Sequence, residues 1–199
     1  MKEPPSAIAL LGGTFDPLHN GHIAIAEKAI ATLPIEKVLF VPAKIPPHKQ
    51  NSVLLPADIR LNLLESVLDK YTQFDIWRGE YRREKPSYTL DSIRAIREEF
   101  PQTRILFIIG SDNLTDIKTW HRYKELINEV EFAVTLRPTY SAETPYELQD
   151  AKLIWFESPN LNISSTEIRL RASEGKKYKD LVPKEIYEYL KATDSYSEK

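Results

Sequence analysis

Short apolar runs alternate along this sequence with segments in which apolar residues recur every three or four positions. Runs of this length are typical of buried strands, whereas the wider spacing is typical of helices that are apolar on one side. The apolar runs predict strands over Ser6–Leu11, Lys37–Val41, Phe74–Trp77, Arg104–Ile109, Phe132–Leu136 and Leu153–Phe156. The spaced segments predict helices over His22–Leu33, Pro56–Leu68, Leu90–Phe100, Leu114–Ile117, Tyr123–Asn128, Ser164–Ala172 and Lys184–Ala192.

This alternation of strand and helix predicts an α/β fold. Right-handed strand–helix–strand crossovers make neighbouring strands parallel. The run RILFII at Arg104–Ile109 is apolar at nearly every position, as expected for a central strand covered on both faces. We therefore predict a Rossmann-like, doubly wound, mainly parallel sheet with helices on both faces and further helices at the C-terminus. The 199 residues suggest one domain over 1–192, followed by a polar tail, 193–199, that is expected to fray.

The composition narrows the classes of function. A net charge of −2 gives no overall positive field for nucleic acid, and no apolar run approaches the roughly 20 residues of a membrane helix. The absence of cysteine excludes disulfides, thiolate catalysis and thiolate metal sites. The N-terminal apolar stretch is too short for a signal peptide. We expect a cytoplasmic protein that binds neither nucleic acid nor membrane; its oligomeric state stays open, a homo-oligomer included.

Four chemically distinctive segments directly follow predicted strands. They are Gly12–His22, Pro42–Lys49, Gly110–Trp120 and Pro159–Arg169. In parallel sheets of this kind, ligands bind beyond the carboxyl ends of the strands. The four segments are therefore expected to meet at one edge of the sheet.

The first of these segments, GGTFDPLHNGH, predicts an anion site. Gly12 and Gly13 allow a sharp turn and a close approach of the backbone to a ligand. His19 and His22 lie at the start of a helix, where free N–H groups and the helix dipole favour phosphate. The segment has neither a Walker lysine nor the GxGxxG pattern. Two further interpretations are a metal pair, which without a third protein ligand makes a weak zinc site, and loop histidines without a function.

A second helix start is predicted at ISSTEIR, Ile163–Arg169. Ser164 with Glu167 fits a capping box, and the N–H groups at the same helix end suit a phosphate. Capping and phosphate binding are compatible here because both use one helix end.

GGTFDPLHNGH together with ISSTEIR resembles the HxGH and ISSTxxR motifs of the nucleotidyltransferase superfamily. Within it, the chain resembles the bacterial nicotinate-nucleotide adenylyltransferases over nearly its whole length. The supporting matches, in family order, are PPHK at 46–49, PSYTLDSI at 86–93, IIGSDNL at 108–114, Thr119-Trp120 and Arg137-Pro138. Thr139 departs from the family pattern, which often has glycine at this point.

The resemblance implies transfer of the adenylyl group of ATP to nicotinate mononucleotide, with release of pyrophosphate. It implies catalytic roles for His19, His22 and Arg169. ATP would be bound by Gly12, Gly13, Thr14, Phe15, Gly110, Asp112, Ile163, Ser164, Ser165 and Thr166. Nicotinate mononucleotide would be bound by His48, Lys49, Tyr88, Thr89, Trp120 and Arg137. Mg²⁺ would be carried mainly by the ATP phosphates, with no metal ligand from the protein.

Simpler roles are open for several of these residues. Asp112 could cap a helix, Lys49 and Arg137 could be solvated surface residues, and Trp120 could be a core anchor. Related enzymes that act on nicotinamide mononucleotide or on phosphopantetheine are the nearest alternatives. A nucleotide-binding regulator that has lost catalysis is an alternative of another class, and the joint presence of the motifs argues against it.

Overall fold

The computed structural model describes residues 7–47, 55–114, 116–136, 148–159 and 161–196. Within these residues one parallel sheet is formed in the order β3-β2-β1-β4-β5-β6. Its strands are β1 Ala7–Gly13, β2 Lys37–Pro42, β3 Phe74–Ile76, β4 Arg104–Gly110, β5 Glu131–Leu136 and β6 Lys152–Glu157. The helices are α1 Asn20–Thr32, α2 Ala57–Leu68, α3 Thr89–Glu99, α4 Ser111–Leu114, α5 Tyr123–Glu129, α6 Ser165–Ser173 and α7 Lys184–Thr193. The predicted Rossmann-like α/β fold is confirmed.

The central strand, β1, is apolar on both faces. Ala9 and Leu11 belong to one hydrophobic core with α1, α2, α6 and α7, whereas Ile8 and Leu10 belong to a second core with α3 and α5. Leu10 lies in register with residues of both neighbouring strands, Leu39 of β2 and Phe107 of β4. Helices therefore cover the sheet on both faces.

Two boundaries near the start of the chain differ from the prediction. Gly12 and Gly13 were predicted as a turn, but they extend β1, where they are paired with Val41 and Pro42 of β2. The backbone of Gly13 continues this pairing, since its carbonyl accepts a hydrogen bond from Ala43 N at 2.8 Å. The predicted loop is consequently shorter, and α1 begins at Asn20 rather than at His22.

The prediction of a frayed tail from Thr193 is wrong for the part of the tail that the structure describes. α7 runs to Thr193, Asp194 adopts left-handed backbone angles, and Tyr196 is buried. The physical reason is a hydrogen bond of 2.8 Å from the Tyr196 hydroxyl to the buried carboxylate of Asp16. Residues 197–199 lie outside the described residues.

No helix among the described residues is long and apolar enough to cross a membrane.

Candidate active site

A cavity of about 690 Å³ opens at the carboxyl ends of β1 and β4. These neighbouring strands are the point where the strand order reverses, which is the usual ligand site of such a sheet. Most of the predicted site residues line this cavity: Gly12, Gly13, Thr14, His19, His22, Tyr88, Thr89, Gly110, Asp112, Trp120, Ile163, Ser164, Ser165 and Thr166. The strand-following segments after β1, β4 and β6 thus meet at one edge, as the sequence predicts.

The two histidines are held at the N-terminus of α1. The His19 carbonyl accepts a hydrogen bond from His22 N at 2.9 Å, and His22 Nδ1 accepts one from His19 N at 3.2 Å. Their rings stack with centroids 3.6 Å apart. Because Nδ1 of His22 is an acceptor, the neutral ring carries its proton on Nε2.

His19 is the more buried residue of the pair. Burial lowers its pKa from 6.5 to about 4, so the ring is neutral at pH 7. Gly21 makes this position available, since a Cβ there would lie 3.0 Å from His19 Nδ1. The glycine of the HxGH motif therefore provides room for the buried imidazole.

Phe15 does not line the cavity that the described residues form, and its predicted role in binding ATP stays a prediction. Its backbone has a φ of 50°, and its side chain is buried in the core. The ring contacts the edge of His22 at a centroid distance of 5.1 Å and also packs on Phe40. A Cβ at Gly13 would lie 3.0 Å from this ring. The buried ring of Phe15 thus packs against His22 from the hydrophobic core.

The N-terminus of α6 is fastened to the loop that precedes α1. Ser164 caps α6 by accepting a hydrogen bond from Glu167 N at 3.2 Å, as predicted. The Ser165 hydroxyl donates to Pro17 O at 3.0 Å. Arg169 donates from Nη1 to Asp16 O at 2.8 Å, and from Nη2 to Thr166 Oγ1 at 3.3 Å. The N-termini of α1 and α6, which we call the paired helix ends, are therefore held side by side.

Arg169 does not line the cavity that the described residues form. Its guanidinium is engaged with the backbone of the loop, because the Asp16 carbonyl lies within reach from α6. Its predicted catalytic role is untested by this arrangement and stays a prediction.

Aromatic side chains form another part of the cavity wall. Trp120 is half-buried and contacts Phe107 edge-to-face at 6.1 Å, while Tyr88 stacks on His121 at 4.1 Å. Tyr88 and Thr89 also mark the beginning of α3. The remaining predicted residues of this subsite, His48, Lys49 and Arg137, lie outside the described residues.

At the end of β4, Gly110 lies close to the side chain of Asp112. A Cβ at Gly110 would lie 2.3 Å from Asp112 Oδ1, so only glycine leaves room for the carboxylate in its present position. Asp112 lies in the first turn of the short helix α4 and lines the cavity. Its predicted contact with ATP stays a prediction.

Comparison with known proteins places this architecture in a family. The profile of the family described as Cytidylyltransferase-like matches residues 10–171. A protein of Exiguobacterium sibiricum, named "Probable nicotinate-nucleotide adenylyltransferase", is 38% identical over 96% of this chain and 98% of its own length. The protein of Bacillus subtilis (strain 168) named "Nicotinate-nucleotide adenylyltransferase" is 33% identical over 95% of this chain and 97% of its own length. The chain belongs to the nicotinate-nucleotide adenylyltransferase family.

A solved structure agrees in fold. The Plasmodium falciparum nicotinic acid mononucleotide adenylyltransferase complexed with NaAD superposes with a TM-score of 0.81 and 19% identity. The match covers 96% of this chain and 97% of that one. The family resemblance inferred from the motifs is confirmed.

Arg60 is a buried charged residue beside the cavity that none of the sequence motifs includes. Its side chain is 3% exposed and donates to the carbonyls of Leu55, Thr14, Ala43 and Lys44 at 2.7 to 3.1 Å. These carbonyls belong to the segments after β1 and β2 and to the start of the segment leading into α2. Arg60 therefore joins three chain segments beside the cavity.

The sequence does carry a trace of this role. Arg60 lies three, four and seven positions before Leu63, Leu64 and Val67, so it interrupts the apolar side of α2. An arginine on the buried side of a helix needs hydrogen-bond acceptors. Its partners are backbone carbonyls distant in sequence, and no residue pattern identifies them.

Glu80 is a second buried polar residue of the cavity wall that sequence analysis missed. Its Oε1 accepts a hydrogen bond from Ser92 Oγ at 2.6 Å, and burial raises the pKa of its carboxyl. Because Ser92 lies in the first turns of α3, this contact fixes the end of α3 that carries Tyr88 and Thr89.

We predict that Arg60→Met lowers the free energy of unfolding by about 3 kcal/mol, because several buried carbonyls lose their donors. Urea unfolding followed by circular dichroism measures the change. Arg82→Met, at an exposed position, is the matched control and is expected to change stability by less than about 0.5 kcal/mol. Equal stability of the two variants would show that the hydrogen bonds of Arg60 contribute nothing.

Proposed function

We propose that this protein transfers the adenylyl group of ATP to nicotinate mononucleotide, forming nicotinate adenine dinucleotide and pyrophosphate. One observation carries the proposal: the paired helix ends and the histidine pair face the same cavity as the aromatic wall of Tyr88 and Trp120. This arrangement suits a triphosphate on one side and a ring-bearing mononucleotide on the other. Relatives that bear the name of this activity match nearly the whole chain.

The chemistry requires alignment rather than a strong base. A phosphate oxygen of the mononucleotide forms a bond to the α-phosphorus of ATP, while the bond from that phosphorus to the bridging oxygen breaks and pyrophosphate leaves. The attacking phosphate is already ionised at neutral pH. Catalysis then consists of holding both substrates in line and stabilising the charge that develops on the phosphates.

The paired helix ends provide donors for that charge. The first N–H groups of α1 and α6 have no partner within their helices, so they can donate to phosphate oxygens. His22 adds the proton on Nε2. The Thr166 hydroxyl accepts from Arg169 and keeps its own proton for donation, whereas the Ser165 hydroxyl donates to Pro17 O. We assign His22 and Thr166 to the ATP phosphates on these grounds.

The acceptor side is proposed to bind through stacking and a helix end. The indole of Trp120 offers a surface for the pyridine ring. The N–H groups that open α3, at Thr89, favour the carboxylate of nicotinate over the neutral amide of nicotinamide, because the helix dipole attracts negative charge. His48, Lys49 and Arg137 remain predicted contacts of the mononucleotide.

ATP is expected to enter as its Mg²⁺ complex. Among the described residues, no group of three or more His, Asp or Glu side chains could hold a metal ion. We propose that Mg²⁺ enters as part of the nucleotide substrate, held mainly by the ATP phosphates, as the family resemblance implies. The cytoplasmic location stays a prediction, and the oligomeric state stays open.

Pyrophosphate release with ATP and each candidate acceptor tests the proposal. We expect turnover with nicotinate mononucleotide and formation of its dinucleotide, identified by mass. Preference for nicotinamide mononucleotide or phosphopantetheine would establish a related transferase instead. Binding of ATP without turnover of any acceptor would indicate a regulator and would contradict the proposed function.

We predict that His22→Ala lowers kcat by about 10²-fold, because a donor to the developing phosphate charge is lost. Steady-state kinetics and thermal unfolding are measured together. Asn20→Ala is the control, since Asn20 lies at the start of the same helix and donates its side chain to Asp180 O instead. A large fall in melting temperature with unchanged kcat would assign His22 a structural role.

We predict that Trp120→Ala raises KM for the mononucleotide about tenfold and KM for ATP by less than about twofold, because stacking acts on one substrate only. Trp120→Phe, which keeps an aromatic surface, is expected to recover most of the loss. Equal increases of both KM values would place Trp120 in the support of the fold.

A further inference from the structure

A buried carboxylate lies where the two substrate-facing helices are fastened together. Asp16 is 1% exposed. Its Oδ1 accepts hydrogen bonds from Leu55 N at 3.0 Å and from the Tyr196 hydroxyl at 2.8 Å, and its Oδ2 lies 3.8 Å from Arg169 Nη1. Its carbonyl accepts a hydrogen bond from Arg169 at 2.8 Å. Four distant segments of the chain are therefore joined at one residue.

Asp16 is three residues from His19, so its position affects the start of α1. Through Arg169 it also holds the start of α6. An ionised carboxylate at such depth is stable only when it is paired or hydrogen-bonded. The backbone N–H of Leu55 and the Tyr196 hydroxyl satisfy Oδ1, and Arg169 supplies the neighbouring positive charge.

Tyr196 reaches Asp16 from the end of the chain by way of a turn. Asp194 has a φ of 50° and reverses the direction of the backbone after α7, which packs against α2. The Tyr196 ring is then 9% exposed. Burial and the neighbouring Asp16 carboxylate raise the pKa of the Tyr196 hydroxyl well above its usual range, so it stays a donor.

Tyr196 itself is outside the wall of the active-site cavity that the described residues form. It lines a separate cavity of about 360 Å³ beside α7, together with Tyr178 and Tyr187. The hydroxyl of Tyr196 is connected to the active-site loops by its hydrogen bond to Asp16.

We propose that Tyr196 is a positioning residue for adenylyl transfer, which through Asp16 holds the paired helix ends at the separation that the triphosphate requires. This inference rests on the proposed function. The acceptor-side residues Trp120 and Tyr88 belong to the segments after β4 and before α3, whereas the hydrogen bonds of Asp16 link it to Leu55, Arg169 and Tyr196. The loss of Tyr196 should consequently act on ATP and on kcat, not on the binding of the mononucleotide.

The test is Tyr196→Phe, which removes the donor and keeps the ring. We expect kcat to fall about tenfold, the Kd of a non-hydrolysable ATP analogue to rise about fivefold, and KM for the mononucleotide to change less than about twofold. Tyr187→Phe is the matched control, because Tyr187 lies on α7 in a ring contact with Tyr178. Wild-type values for Tyr196→Phe, or equal effects on both substrates, would overturn the proposal.

A double-mutant cycle tests whether Tyr196 acts through Asp16. Asp16→Asn preserves shape and removes the charge. If Tyr196 acts through Asp16, the double variant should bind the ATP analogue about as weakly as the weaker single variant, whereas additive losses would contradict the inference. Calorimetric binding of the analogue needs no acceptor and no turnover. Failure of the proposed function, seen as wild-type protein without transfer, is therefore distinguishable from failure of this inference.

Discussion

The parallel pairing of β1 with both β2 and β4 is the constraint on which the rest of the structure depends. The helix after β1 covers one face of the sheet, and the helix before β4 covers the other, so the connections part at the carboxyl end of β1. A crevice must open there. The segments that follow β1, β4 and β6 are far apart in sequence, but all of them contribute residues to the wall of this one cavity.

Burial is what makes this crevice chemically specific. Arg60 donates hydrogen bonds to backbone carbonyls of the loops beside the cavity. Oδ1 of Asp16 accepts hydrogen bonds from Tyr196 and Leu55, and Arg169 lies beside its Oδ2. Each of these polar groups would destabilise the fold if left without a partner, so each fixes the segments that it joins. The paired helix ends can therefore offer their N–H groups from fixed positions, which is the condition for electrostatic stabilisation of a developing charge.

The glycines of the site matter because they leave room for neighbouring side chains, more than because their backbone is flexible. Gly13, Gly21 and Gly110 each leave room for a neighbouring side chain, namely the ring of Phe15, the imidazole of His19 and the carboxylate of Asp112. Sequence analysis assigned Gly12 and Gly13 to a turn, yet both belong to β1. A glycine in an apolar run can belong to a turn or to a strand against which a neighbouring side chain packs closely. Only the packed neighbours distinguish the two.

The sequence by itself determined the fold class and a set of residues that line the cavity, because hydrophobic period and strand-following motifs are local properties of the chain. It also identified the cap of α6 at Ser164 and placed the start of α1 within two residues, since capping and turn features are local. Only the tertiary structure decided that Arg169 holds the loop at Asp16, that Arg60 joins three segments, and that Tyr196 is buried rather than frayed. Each of these contacts joins groups distant in the chain, and their partners are mostly backbone atoms, which every residue carries and no sequence pattern marks.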